Sequence, residues 1–259
     1  MKQLAKNQGT NEKRTKQYFE NWDLEKTLKT LITKENPCIF DVGANNGSSI
    51  NEFKGWWPKS IVHCFEPQAE CYESLRETAD LYAPDSVVLN MTAVGNHSAV
   101  RENFYTHSIN SGVSGFNRIN TESKDSIKLK ELNSKGGDAK QIYAESLNSS
   151  REVSVIRLDE YIESVDPSLH IDFLKIDTQG YEPEVLEGLG VKLMAVDVIL
   201  TELMFFDFYE RSLSFSDIEQ HLLKFNFSIY DISHISKNPM NGRTDWVDVI
   251  YVSDRILQK

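Results

Sequence analysis

Two short stretches hold residue types that suit a nucleoside-like ligand. Asp41-Val42-Gly43-Ala44-Asn45-Asn46-Gly47-Ser48 places an acid and two glycines between an apolar run, Cys38 to Val42, and a helix-patterned segment, Ser48 to Lys54. Glycine lets backbone approach a ligand and turn sharply, and a helix start offers free N–H groups. Glu66 ends the next apolar run, Ser60 to Phe65, 25 residues after Asp41. In nucleotide-binding α/β folds such an acid accepts hydrogen bonds from ribose, and the ligand lies over the carboxyl ends of the strands. Two more acids, Asp177 and Glu202, follow the strand-like runs Phe173 to Ile176 and Val196 to Thr201. A carboxylate with its pKa raised by partial burial can take the proton of a hydroxyl acceptor.

The glycine spacing separates two cofactor classes. A nicotinamide fingerprint reads G-x-G-x-x-G, its middle glycine making room for pyrophosphate. Here the stretch is Gly43-Ala44-Asn45-Asn46-Gly47, and the middle glycine is missing. An acid at Asp41 suits the ammonium of a methionine tail better than a pyrophosphate. S-adenosylmethionine therefore fits better than NAD.

These residues need strands and helices to position them. Apolar residues from Thr15 to Thr33 recur at three- and four-residue steps and predict one helix, stopped by Pro37. Strand and helix patterns then alternate to Leu89, implying parallel pairing through right-handed crossovers. Val100 to Tyr105 reads as an added strand. Thr106 to Arg151, rich in Ser, Asn, Lys and Gly, reads as an insertion that closes over the acceptor, the alternative being an inert solvated one. The rhythm resumes at Val153 to Ile156 and Leu158 to Ile162. A helix around Glu182 to Leu189 has Pro183 in its first turn, and Ser216-Asp217-Ile218-Glu219 matches a capping box. Phe227 to Ile232 and Trp246 to Val252 predict a closing antiparallel hairpin.

Composition narrows the partners. With 28 basic and 39 acidic residues the net charge is −11, which disfavours a nucleic acid held by its phosphates. No apolar run approaches the roughly 18 residues of a membrane span, and the first twenty residues lack a secretory pattern, so a cytoplasmic protein is expected. Cys38, Cys64 and Cys71 have no metal or disulfide spacing, and the six histidines show no H-E-x-x-H. His107 and His234 are weaker candidates for the mouth of the site. Trp56 and Trp57 read as packing before sugar stacking, and Ser114 lacks the final glycine of a nucleophile elbow.

The DVGANNG turn, Phe65-Glu66-Pro67, Ala93-Val94-Gly95, Leu158-Asp159-Glu160-Tyr161 and Leu174-Lys175-Ile176-Asp177-Thr178-Gln179-Gly180-Tyr181-Glu182 together resemble the FkbM-type methyltransferases, from about Pro37 to Val252. The resemblance implies a class I, Rossmann-like α/β domain over 37–259. Its seven-stranded sheet would be mostly parallel with a C-terminal antiparallel hairpin, helices on both faces and the long insertion at about 106–151, after an N-terminal helical segment, 1–36. It also implies S-adenosylmethionine and a hydroxyl acceptor on a sugar, glycan or natural-product precursor. Carried over, Gly43, Ala44, Asn45 and Gly47 would wrap the methionine end, Glu66 the ribose, and Thr92 and Ala93 the adenine edge; Asp41, Ser48 and Pro67 complete the cofactor set. Asp177 and Glu202 would be the catalytic acids. The family often reads K-I-D-V-E-G where this chain has Thr178-Gln179, so a charge at 179 is absent. No dedicated metal ligands are visible, although a divalent ion shared by the two acids stays open, as does a homodimer. The competing readings are a nicotinamide-dependent oxidoreductase and a cofactor-binding scaffold without turnover.

Overall fold

The computed structural model describes residues 10–107, 110–121, 123, 147–205 and 207–258. They fall into two compact units divided at Thr33 and Lys34. In the first, the expected single helix is two. Helix α1 (Asn11–Asn21) is capped by Thr10, and α2 (Leu24–Leu31) by Asp23, whose Oδ1 accepts from the Lys26 N–H at 2.8 Å. Asp23 interrupts an otherwise helical apolar spacing because its carboxylate competes for backbone N–H groups. The second helix ends at Leu31, well before Pro37.

The second unit is built on seven strands: β1 (Cys38–Val42), β2 (Ile61–Phe65), β3 (Val87–Asn90), β7 (Ile171–Ile176), β8 (Val196–Met204), β9 (Phe227–Lys237) and β10 (Thr244–Ser253), in the order β3-β2-β1-β7-β8-β10-β9. Pairs among β1, β2, β3, β7 and β8 are parallel, and β10 runs antiparallel to both β8 and β9. This is the class I methyltransferase sheet expected from the sequence. The helices between the strands include α3 (Ser48–Trp56), α4 (Ala69–Ala79), α5 (Leu158–Val165), α6 (Glu182–Leu189) and α7 (Phe215–Leu222), and α8 (Asp254–Leu257) follows the last strand.

Strand periodicity assigns the two faces. Phe40, Val42, Leu174, Ile176 and Ile199 share a core with Leu158 and Ile162 of α5 and Val185, Leu186 and Leu189 of α6. On the other face Phe173 packs edge-on against Phe53 of α3, ring centroids 5.3 Å apart. Asp41, Lys175, Glu202 and Asp248 share that second face by register: Asp41 pairs with Lys175 and Glu202 with Asp248.

Val100 to Tyr105 and Val153 to Ile156, expected as strands, stand apart from the main sheet. They belong to β5 (Ala99–Thr106) and β6 (Ser149–Ile156), which join β4 (Ala93–Val94) in a separate three-stranded sheet, β4-β6-β5, with its own core of Ala93, Phe104, Val153 and Val155. The cap of α7 is Ser214, not Ser216: the Ser214 N–H donates to Asp217 Oδ2 at 2.8 Å, placing the capping box two residues earlier. Residues 124–146 of the expected insertion lie outside the described residues. Its described beginning forms a hairpin-like return, with Tyr105 bridging Gly115.

Candidate active site

The carboxyl ends of β1, β2 and β7 and the segment leaving β5 border a pocket with about 530 Å³ of space, the open solvent at its mouth included. Gly43, Asn45, Glu66 and Pro67 form one side. Phe104, Ser111, Gly112, Ser114 and Phe116 form the opposite wall, and Asp177, Thr178 and Gln179 close one end. The wall is tied to the glycine turn: Ser111 donates to Asn45 Oδ1 at 3.1 Å, and Gln68 Nε2 donates to the Ser111 carbonyl at 3.1 Å.

Glu66 is buried beneath the turn. Its carboxylate accepts the Asn45 N–H at 2.9 Å and the Gln68 N–H at 2.8 Å. Burial pushes its pKa up, and those two N–H groups partly offset the shift. Each oxygen keeps acceptor capacity for a ligand hydroxyl. Gln68, which also lines the cavity, has a buried Oε1 with no protein partner. An acceptor left unmatched in a cavity is costly unless a ligand supplies an N–H or O–H. Glu66 and Gln68 together therefore fit a nucleoside, with ribose hydroxyls and an exocyclic amine as donors.

A model of the Methyltransferase FkbM domain matches residues 41–229, more than half of the chain. The chain belongs to the FkbM methyltransferase family. Methyltransferase 1 of Beauveria bassiana (strain ARSEF 2860) is 25% identical over 169 residues, a match that spans 64% of each protein. The FkbM methyltransferase of Methylobacillus flagellatus KT superposes with a TM-score of 0.50 at 14% identity, over 84% of this chain and 44% of that one, a likeness of fold.

Within the FkbM domain the sequence candidates divide. Gly43, Asn45, Glu66, Pro67, Ala93 and Asp177 line the cavity; Asp41, Ala44, Gly47, Ser48, Thr92 and Glu202 are not among its lining residues. Asp41 is fully buried, bonded to the Ser49 hydroxyl of α3 and to Lys175 Nζ at 3.2 Å. Its place inside the sheet follows from alternation, which points it under α3. The Thr92 hydroxyl turns to the Ser154 carbonyl at 3.0 Å. Gly47 meets α4, where an added Cβ would lie 3.1 Å from Leu75. At Gly43, φ is +85° and a Cβ would fall 1.9 Å from the Asp177 carbonyl oxygen, so this glycine is required by the neighbouring strand end before any ligand arrives.

At the acidic end, Lys175 Nζ lies 3.5 Å from Asp177 Oδ2 as well as beside Asp41. Burial would lower the lysine pKa, but the two carboxylates reverse the effect and raise it. Glu202 moves the other way from an ordinary carboxyl: burial, then the charges of Asp177, Glu182 and Asp248, push it well above the usual range. Glu182, at the start of α6, accepts the Thr178 N–H at 2.9 Å and the Gly180 N–H at 3.2 Å, and burial raises it to about 7. His234 faces Asp248 across the hairpin, and His107 accepts the Asn110 N–H at 2.9 Å; neither is among the cavity-lining residues. Trp57 is buried in packing contact with Phe173. Among the described residues a cluster with metal-ligand spacing, His170, Asp172 and Asp197, sits at the opposite end of the strands. Lys34 and Arg255 already occupy its acids. The sequence reading missed Gln68, Glu182 and Gln179 as site-builders; the position of Gln68 two residues past Glu66 was the available signal.

Proposed function

We propose that this methyltransferase moves a methyl group from S-adenosylmethionine to a hydroxyl of a sugar, or of a glycan or natural-product precursor, in the cytoplasm. The reading is carried by one observation: Asp177 opens into the same cavity as Glu66 and Gly43. Bound there, S-adenosylmethionine supplies an electrophilic methyl group. Glu66 and Gln68 take the donors of the nucleoside, and Gly43 and Asn45 border the rest. Holding the acceptor in line lowers the barrier by up to about 7–11 kcal/mol. The Asp177 side chain is 36% exposed, accessible enough to receive the hydroxyl proton, while the raised pKa of Glu202 keeps its carboxyl protonated and limits repulsion.

Calorimetry with S-adenosylmethionine, S-adenosylhomocysteine and NAD tests the cofactor, and turnover on a panel of methyl glycosides tests the acceptor. Binding of the first two but not NAD, with methylation of at least one glycoside that survives EDTA, is the expected result. Preferential NAD binding would replace the reading with a nicotinamide enzyme. Activity lost to EDTA and restored by a divalent cation would turn Asp177 and Glu202 into ligands.

A further inference from the structure

Gln179 occupies an unusual backbone position, φ +58°, followed by Gly180 at +91°. A left-handed glutamine persists only where its surroundings hold it. Here Glu182 grips the Thr178 and Gly180 N–H groups from below, and Asn117 Nδ2 donates to the Gly180 carbonyl at 2.8 Å. The result aims the Gln179 amide at the acids. Its Nε2 donates to Asp177 Oδ1 at 2.7 Å and lies 3.4 Å from Glu202 Oε2, while its Oε1 lies 2.7 Å from the Tyr209 hydroxyl.

The Asp177 carboxylate fixes which way the amide points, because reversing it would set Oε1 against the charged oxygen that now accepts from Nε2. The Tyr209 hydroxyl holds the other end of the amide, sharing its one proton between Gln179 Oε1 and the Val113 carbonyl 2.9 Å away. Tyr209 itself is 2% exposed and is not among the cavity-lining residues, so it acts through Gln179.

We propose that Tyr209 and Gln179 are positioning residues that lock the Asp177 carboxylate toward the reacting methyl group. This rests on the assignment of Asp177 above. Because Val113 belongs to the segment that forms the far wall, the lock also joins that wall to the acid. A fixed carboxylate favours a cofactor bearing positive charge next to it, and a carboxylate free to rotate favours it less.

The test needs no acceptor. Calorimetry compares S-adenosylhomocysteine, neutral at the reacting position, with S-adenosylmethionine and with sinefungin, which carry a sulfonium and an ammonium there. The wild type should prefer the two cations. Asp177→Asn should lower that preference about tenfold, and Tyr209→Phe and Gln179→Met about three- to tenfold. S-adenosylhomocysteine affinity should stay within about twofold in Tyr209→Phe. If Asp177→Asn lowers the preference and Tyr209→Phe leaves it intact, the lock is refuted and the role of Asp177 stands. If Tyr209→Phe weakens all three ligands equally, its role is structural and the lock is refuted. An unchanged preference in Asp177→Asn removes both claims.

Discussion

The two ends of the central sheet treat their acids in opposite ways. At the amino ends of β7 and β8, Asp172 accepts Lys34 Nζ at 2.9 Å and the Cys38 N–H at 2.7 Å, and Asp197 accepts from His170 at 2.9 Å and Arg255 at 3.1 Å. Burial pushes Asp197 up, yet these partners win and hold it below the usual carboxylate range. At the carboxyl ends, Lys175 pairs with Asp41 and Asp177, while burial raises both Glu202 and Asp248 against the opposing charges of Lys175 and His234. One end is matched for stability. The other carries excess acid where the cavity opens, a pattern that concentrates at working sites.

The contrast can be broken from its strongest point. Asp177→Asn preserves size and should lower turnover by roughly 10²–10⁴-fold, read by methyl transfer to an accepted glycoside, with the melting curve unchanged. Gly43→Ala should cost about 3–4 kcal/mol of stability and abolish cofactor binding, because the new Cβ meets the Asp177 carbonyl; denaturant unfolding and calorimetry measure the two effects. Glu66→Ala should weaken S-adenosylhomocysteine binding by about 1–3 kcal/mol through loss of charge-assisted bonds.

Glu182 sharpens the comparison through pH. Its folded pKa, about 7, exceeds the unfolded 4.5. The folded chain therefore holds a proton that the unfolded chain releases. The stability contributed is complete below about pH 4.5 and is lost as pH rises to about 7. Glu182→Gln keeps an oxygen for the Thr178 and Gly180 N–H groups but cannot ionise. It should flatten that slope and unfold about 1–2 kcal/mol later than wild type at pH 8. The smallest change belongs to the matched end: Arg255→Ala, at a partly exposed pair, should cost about 1 kcal/mol in denaturant unfolding and leave cofactor affinity unaltered.

How far these features were legible depended on range. The turn from β1 into α3 and the acids after β7 and β8 were readable because apolar runs, glycines and acids stand within a few residues of one another. The separate sheet was not, since β4 is only two residues long and pairs with β6 across more than fifty residues. The fate of Asp41 was lost for a different reason: strand alternation gives its side, but only the packed helix shows that Ser49 waits there. Tyr209 became significant through Gln179, thirty residues earlier in the chain.

Gly188 lies within α6, where a Cβ would stand 2.0 Å from the Gly95 carbonyl just past β4. The small sheet thus rests on α6 at a spacing that admits no methyl group. For anyone exchanging parts among homologous enzymes, that contact marks the seam. A transplanted β4-β6-β5 module will seat at the correct height only on a helix that brings glycine to this knuckle. Alanine there would lift the whole module away from the cofactor turn while leaving each half individually sound.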